Sequence, residues 1–197
     1  MTLTLQTAPT EEPITLAEAK LHCRVFHDDD NALITTLITA TRQHGENFTH
    51  RAFITQVWDY KIDHFPCHGE PLYLPLAPLL TSTAPVVTYT DTNGDSQTWS
   101  SSQYTVDAPS GPHARPGRIF LNYGESYPSV RSIENAIQVR FSCGYGVASA
   151  VPDAIKAAMK MLIAHWYMNR EPVIVGSIAS PIPSTVDALL WPFKSYY

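Results

Sequence analysis

Charge is what this 197-residue chain has least of: Asp, Glu, Lys and Arg make up 16% of it, against about 25% in ordinary soluble domains. No two Lys or Arg residues are adjacent, and the formal net charge is −5. Proteins that grip nucleic-acid backbones need clustered cations to displace counterions, so direct DNA or RNA binding is not expected. The acidity suits a wall along which DNA passes without sticking, because like charge repels the phosphates. Cysteine is scarce too. Cys23, Cys67 and Cys143 are odd in number, far apart and without CxxC spacing, which reads as free thiols in a reducing compartment. No apolar run reaches the ~18 residues of a membrane-spanning helix. The opening MTLTLQTAPTEEP lacks the basic start and apolar core of a secretory signal. The expected compartment is the cytoplasm, until something carries the chain elsewhere.

Apolar and aromatic surface is plentiful. Apolar residues make up 44%, with 16 Pro, 10 Tyr and 4 Trp, and the length allows one large domain or two small ones with a real core. A chain this poor in charge has more surface to hide than a solvated monomer needs, and large apolar patches mark interfaces. Composition leans toward an oligomer, although a large internal core absorbs the same residues.

Residues 1–13 read as an extended, non-periodic arm in which Pro9 and Pro13 bracket Glu11 and Glu12. Thr15–Glu18 (TLAE) is a capping box that starts a short helix, with Leu16, Ala19 and Leu21 as its apolar residues. Asp28–Asp30 close it off and open a second helix, where solvated carboxylates accept orphan amides and oppose the dipole. Leu33, Ile34, Leu37, Ile38, Thr41 and Phe48 then follow helical spacing. The middle changes period. Phe53–Asp63 alternates as a half-buried strand does, and proline-rich Pro71–Leu80 suits an edge strand or extended segment. Val86–Thr90 and Gln97–Trp99 flank Asn93-Gly94, a hairpin signal because both residues tolerate positive φ. Tyr104–Val106, Arg118–Leu121 and Ala136–Phe141 bring the β region to roughly five to seven strands.

Helix returns at Val151, with Pro152 suited to the first helical position and Asp153 to the first turn. Ile155, Ala158, Met159, Leu162, Ile163 and Trp166 fall on one face, and Pro172 ends the run. After a proline-punctuated link over residues 173–183, Ser184–Asp187 caps a last short helix carrying Leu189, Leu190 and Trp191. The fold class is therefore α+β: an arm at 1–13, a helical scaffold from 14–52 plus 150–197, and an antiparallel β module inserted at 53–149.

Candidate chemistry is thin. His64, Cys67 and His68 are the densest set of metal-ligand types, yet the paired motifs and fourth ligand of a zinc site are missing, so they read as loop residues. Adjacent Asp28–Asp30 diverge and do not suggest a metal triad. Gly144-Tyr145-Gly146 lacks the third glycine of a dinucleotide fingerprint and reads as a tight strand-to-helix turn. His165, Asn169, Arg170 and Glu171 gather at a helix end, where a core or interface histidine and a dipole-compensating arginine explain them. No G-x-S-x-G elbow or recognisable Cys–His pair exists. The chain is expected to be no enzyme, with no catalytic residue, metal or cofactor.

The order of short blocks carries more information than any one of them. They begin with Pro13–Lys20 (PITLAEAK), Arg24 and Asp28–Asp30, then Thr55–Trp58 (TQVW), Asp63–Pro66 (DHFP) and Leu74–Leu79 (LPLAPL). Val87–Asp91 with Gly94, Tyr104, Val106-Asp107, Gly117–Ile119, Asn135–Val139 and Gly144–Gly146 follow. Val151-Pro152, His165–Tyr167, Asn169–Glu171 and Val186–Leu190 complete the series. In this order, over about residues 13–193, the chain resembles the gp6-like phage head–tail connector family, in its long-insert form with a central β module. Tyr127-Pro128 stands where Trp-Pro is usual, and Ala108–Pro116 is longer than usual.

The resemblance implies a non-enzymatic virion protein: a ring, usually of twelve subunits, docked under the portal after DNA packaging. Such a ring extends the DNA channel toward a stopper or tail-terminator protein; the subunit waits in the bacterial host cytoplasm, where a free monomer is compatible with a ring that closes only on its template, and DNA passes without sequence-specific contact. The helices at about 30–50 and 152–170 are expected to build the ring through head-to-tail contacts. Trp166, Tyr167, Arg170, Leu190, Trp191, Phe193, Tyr196 and Tyr197 are the expected portal or ring interface, aromatics being common interface anchors. The segment from Pro172 to Tyr197 is expected to dock on the portal and to be removable from residue 184 onward without loss of fold. A plainer alternative has Trp191 and Phe193 covering the chain's own helices. The β module faces outward or toward the tail. A rival function is a carbohydrate- or protein-binding β-sandwich-type module with helical flanks, using Trp58, Trp99 or Tyr104 as a sugar platform, although strand alternation makes these equally good core residues.

Overall fold

The computed structural model describes residues 1–170 and 184–196. Helix α1 (Leu16–Cys23) starts at the expected capping box: the Glu18 amide donates to Thr15 Oγ1 at 3.2 Å, and the Thr15 amide donates to the Glu18 carboxylate at 2.8 Å. The Thr15 amide, then the Thr15 hydroxyl, which also donates to the carboxylate, hold the Glu18 carboxyl below its ordinary value. Helix α2 (Asn31–Thr49) begins after Asp30, but the Asp30 carboxylate accepts no helix amide. This corrects the expected cap. Tertiary partners take the carboxylates instead: Asp30 accepts from the Tyr167 hydroxyl and Arg170, and Asp28 from Lys20 at 2.7 Å. Helix α3 (Asp153–Met168) has Pro152 at its N-cap, one position before the expected place. Helix α4 (Ser184–Leu190) runs into a 3₁₀ turn, Trp191–Phe193.

The helices enclose one core. Ile34 and Ile38 of α2, Ile155, Met159 and Leu162 of α3, and Val186, Leu190 and Phe193 of the tail meet there, with Phe53 and Ile54 entering from the chain that leads to the sheet. The apolar spacing of α2 and α3 is thus satisfied by their packing together and against α4.

The strands form two antiparallel sheets. β1 (Thr2–Thr7), β2 (Gln56–Ile62), β8 (Ile137–Cys143), β4 (Val86–Thr90) and β5 (Ser96–Thr98) make a five-stranded sheet in the order β1-β2-β8-β4-β5. β3 (Leu72–Tyr73), β7 (Arg118–Leu121) and β6 (Tyr104–Asp107) make a three-stranded one in the order β3-β7-β6. The N-terminal arm is extended, but its first part is periodic after all: Thr2, Leu3, Thr4 and Leu5 alternate and pair with β2 as an edge strand. Proline limits the 71–80 segment to the two-residue β3 and isolated bridges at Ala77 and Leu79. In the β4–β5 hairpin only Gly94 takes positive φ (101°), while Asn93 does not. Asp91 organises that turn, its Oδ1 accepting the amides of Asn93, Gly94 and Asp95 at 2.9–3.0 Å.

Between the sheets lies a second core of Leu74, Val87, Ile119, Ile137, Val139 and Phe141. Phe65 stacks on Tyr127 at 4.7 Å, and Trp99 packs on Tyr104 at 4.6 Å. Trp99 is 3% and Tyr104 7% exposed, and Trp58 is half-buried, giving its indole N–H to Gln56. The sugar-platform reading is thereby corrected for Trp99 and Tyr104, whose rings fill the core, while Trp58 packs half-buried against it.

A polar chain joins the two cores. Glu46 of α2 accepts from Arg42 (2.7 Å), the Phe53 amide (2.8 Å) and Gln56 of β2 (2.7 Å), while Arg42 also pairs with Glu12 at 2.7 Å. Burial lifts the Glu46 carboxyl above its ordinary value against the pull of the Phe53 amide and the Arg42 charge. At the same end of β8, where Gln56 pairs with Cys143, Gly144 has φ 125°, and a Cβ there would meet the Ile54 carbonyl oxygen at 2.4 Å. The Gly144–Gly146 motif is therefore a close backbone crossing that locks the strand-to-helix turn against residues 53–55.

Candidate assembly interface

The C-terminal tail is built onto the end of α2. Arg51 is buried and gives its Nε–H to the Phe193 carbonyl. The Ser195 amide donates to the Thr49 carbonyl at 2.8 Å. Burial pulls the Arg51 guanidinium below its ordinary value, with Tyr145 opposing. His113 stacks on Phe193 at 4.8 Å from the other side, its Nδ1 3.0 Å from the Pro192 carbonyl. Leu190 and Phe193, expected at an interface, are 2% and 6% exposed in this chain's own core. That burial corrects their assignment as free contact residues.

Trp191 and Tyr196 behave differently, at 59% and 68% exposed. The ammonium of Lys194 lies 5.2 Å from the Trp191 ring centre, 5.6 Å from that of Tyr196 and 5.3 Å from that of Phe48. One cation thus gathers the two exposed rings and ties them to α2. Sequence reading missed Lys194 because its role depends on the tail folding back on α2.

The other expected residues sit elsewhere. Trp166 is half-buried, edge-on to His44 at 5.9 Å. The Tyr167 hydroxyl donates to Asp30, and exposed Arg170 lies 5.0 Å above the Tyr167 ring and 3.2 Å from Asp30. The Tyr167 hydrogen bond, then the Arg170 charge, hold the Asp30 carboxyl below its ordinary value. This corner adjoins the start of α2, whereas Trp191 and Tyr196 adjoin its end. Nineteen residues of helix separate the two places by roughly 28 Å at ~1.5 Å per residue. The residues expected at the portal or ring interface thus fall in two separate places on the chain. Glu171, the 173–183 link and Tyr197 lie outside the described residues.

Among the described residues, no group of three or more His, Cys, Asp or Glu side chains is arranged to hold a metal ion, and Cys67 is exposed. The Cys143 thiol is buried, which drives its pKa far above the ordinary value and leaves it inert. No helix among the described residues is long and apolar enough to cross a membrane.

Residues 13–71, covering α1, α2 and β2, match the family model of the phage gp6-like head–tail connector protein. The connector resemblance holds. The fold agrees over the full chain with chains from three solved particle structures. One is the neck of an empty gene transfer agent particle computed with C6 symmetry, at TM-score 0.80 and 21% identity, covering 100% of this chain and 97% of that one. The virion of the native gene transfer agent particle gives TM-score 0.78 at 20% identity, and the native neck computed with C12 symmetry 0.76 at 20%, both with 100% and 97% coverage. No curated protein matches the sequence. The chain thus combines an N-terminal segment similar to the connector family model with an α+β fold similar to that of chains in particle necks.

Proposed function

We propose that this chain is a head–tail connector subunit: a structural, non-enzymatic adaptor that forms a ring in the neck of a phage-like particle. The ring sits beneath the portal, extends the DNA channel and offers a platform to a stopper or tail-terminator protein. The observation that carries this reading is the coincidence of a connector-family match at the N-terminus with a neck-type fold over the whole chain. The similar necks were computed with sixfold and twelvefold symmetry, and a ring of twelve copies is compatible with both. Low charge and net acidity suit a channel wall that DNA slides past.

Portal docking is assigned to the Trp191–Tyr196 patch. Its exposed rings are held in place by Lys194, so little side-chain freedom is lost on binding, and aromatic anchors dominate interface energies. In the double variant Trp191→Ala/Tyr196→Ala, portal affinity measured by interferometry is expected to fall by about a hundredfold or more. The melting temperature is expected to stay at the wild-type value, since both side chains are exposed. Wild-type affinity in this variant would remove the tail from the docking surface.

A further inference from the structure

A closed ring of identical subunits needs two different, complementary faces on each chain. Two features of the described residues meet that requirement. The first is a corner between α1 and α2. Phe26 is 85% exposed and Leu21, on the last turn of α1, 72% exposed, and the Asp29 side chain beside them is 94% exposed. The second is a cleft of about 920 Å³ lined by strands β1, β2 and β3 and the segments that flank β3 and β7. Leu3 and Phe65 lie in it, Tyr73 and Tyr196 are exposed along it, and Arg115 lines it with its side chain in solvent. Among the described residues Arg115 has no carboxylate partner, and Asp29 faces only His27, at 3.6 Å.

Helix α2 sets these faces apart. The corner precedes its first turn, while Tyr196 follows Ser195, which is bonded to Thr49 in its last turn. Roughly 28 Å of helix, at ~1.5 Å per residue, lies between them. The exposed Phe26 and Asp29 at one end are matched at the other by a largely apolar cleft in which Arg115 supplies a cation without a carboxylate partner; Asp63, which accepts the Asn135 amide, and Glu70 line the same cleft. Neither can reach the other within one chain.

Resting on the ring reading above, we propose that the ring closes head to tail: the Phe26 corner of one subunit enters the cleft of its neighbour. Phe26 packs among Leu3, Phe65 and Tyr73, and Asp29 meets Arg115. The occupant of the cleft is a second copy of this chain.

Cys67 provides a native reporter, exposed on the 3₁₀ turn between cleft residues Pro66 and Glu70. In a Cys23→Ser background, His27→Cys places a thiol beside the corner while leaving Phe26 and Asp29 intact. Treating portal-assembled rings with a short bismaleimide is expected to give a ladder of covalent multimers rising one subunit at a time. The ladder is expected to vanish when Cys67→Ser is added. In parallel, Arg115→Glu is expected to lower occupancy of the ring layer at least about tenfold, and adding Asp29→Lys is expected to restore it. Both positions are solvent-exposed, and unchanged circular dichroism checks the fold. A complete layer that gives no ladder, or full assembly by Phe26→Asp protein, overturns the corner-in-cleft contact and leaves the connector role standing. Absence of any layer from the wild-type chain overturns both.

Discussion

Deleting residues 184–197 is expected to unfold the helical half of the protein. Val186, Leu190 and Phe193 are almost wholly buried against α2 and α3, and each such side chain contributes ~1.5–3 kcal/mol. Their sum, about 5–9 kcal/mol, is of the size of a whole domain's stability, roughly 5–15 kcal/mol. The truncation also strips Arg51 of its carbonyl acceptor and the Thr49 carbonyl of its donor, leaving buried polar groups unpaired. A truncated chain is expected to show no cooperative thermal transition by circular dichroism at about 45–65 °C, the range in which ordinary domains melt. If it melts within a few degrees of the full chain, the tail is an appendage and the packing described here carries little energy. The sequence favours a removable tail because its last residues are aromatic and follow a proline-rich link; the fold instead divides them residue by residue. Val186, Leu190 and Phe193 turn inward and Trp191 and Tyr196 outward, as a helical turn of this spacing requires.

The second large effect is expected at Glu46. Replacing it with Ala leaves the Phe53 amide and the Gln56 side-chain amide without their acceptor and takes one of two carboxylates from Arg42. Each buried donor left unpaired costs ~1–3 kcal/mol, so a loss of about 3 kcal/mol or more is expected in urea unfolding. Glu46→Gln retains an acceptor oxygen and should lose less. The pH dependence sets both variants, which lack the carboxyl, apart from the wild type. Because burial raises the folded-state value of the Glu46 carboxyl, the stability linked to it is fully present below the ordinary glutamate range. It is lost as pH rises through the raised value. Glu46→Gln is therefore expected to gain on the wild type as pH increases across that window; a difference independent of pH would contradict the burial argument.

Much of the architecture was legible in local chemistry. The Thr15–Glu18 box starts α1, the 3.6-residue spacing of Ile155, Met159, Leu162 and Ile163 becomes the buried face of α3, and period-two stretches become β2 and β8. What escaped depended on contacts between distant segments. Asp30 looks like a cap in sequence but answers to Tyr167 and Arg170, over a hundred residues away. The Thr-Leu alternation of β1 is short and sits before two prolines, so its pairing with β2 has no local signal stronger than that of a free arm. The interface residues were the least legible. Aromatic type alone does not distinguish Phe193, stacked under His113, from Trp191, held open by Lys194. Phe26 drew no attention because a single aromatic before an aspartate run has no pattern to betray its exposure.

The central claim, a connector ring beneath a portal, is tested most directly by mixing the purified full-length chain with the portal ring of its own particle and imaging the product by electron microscopy. The account predicts an added coaxial layer on the narrow end of the portal, with one copy of this fold per repeat and the Trp191–Tyr196 patch against the portal. No added layer at concentrations well above micromolar, with the C-terminus intact, would contradict it.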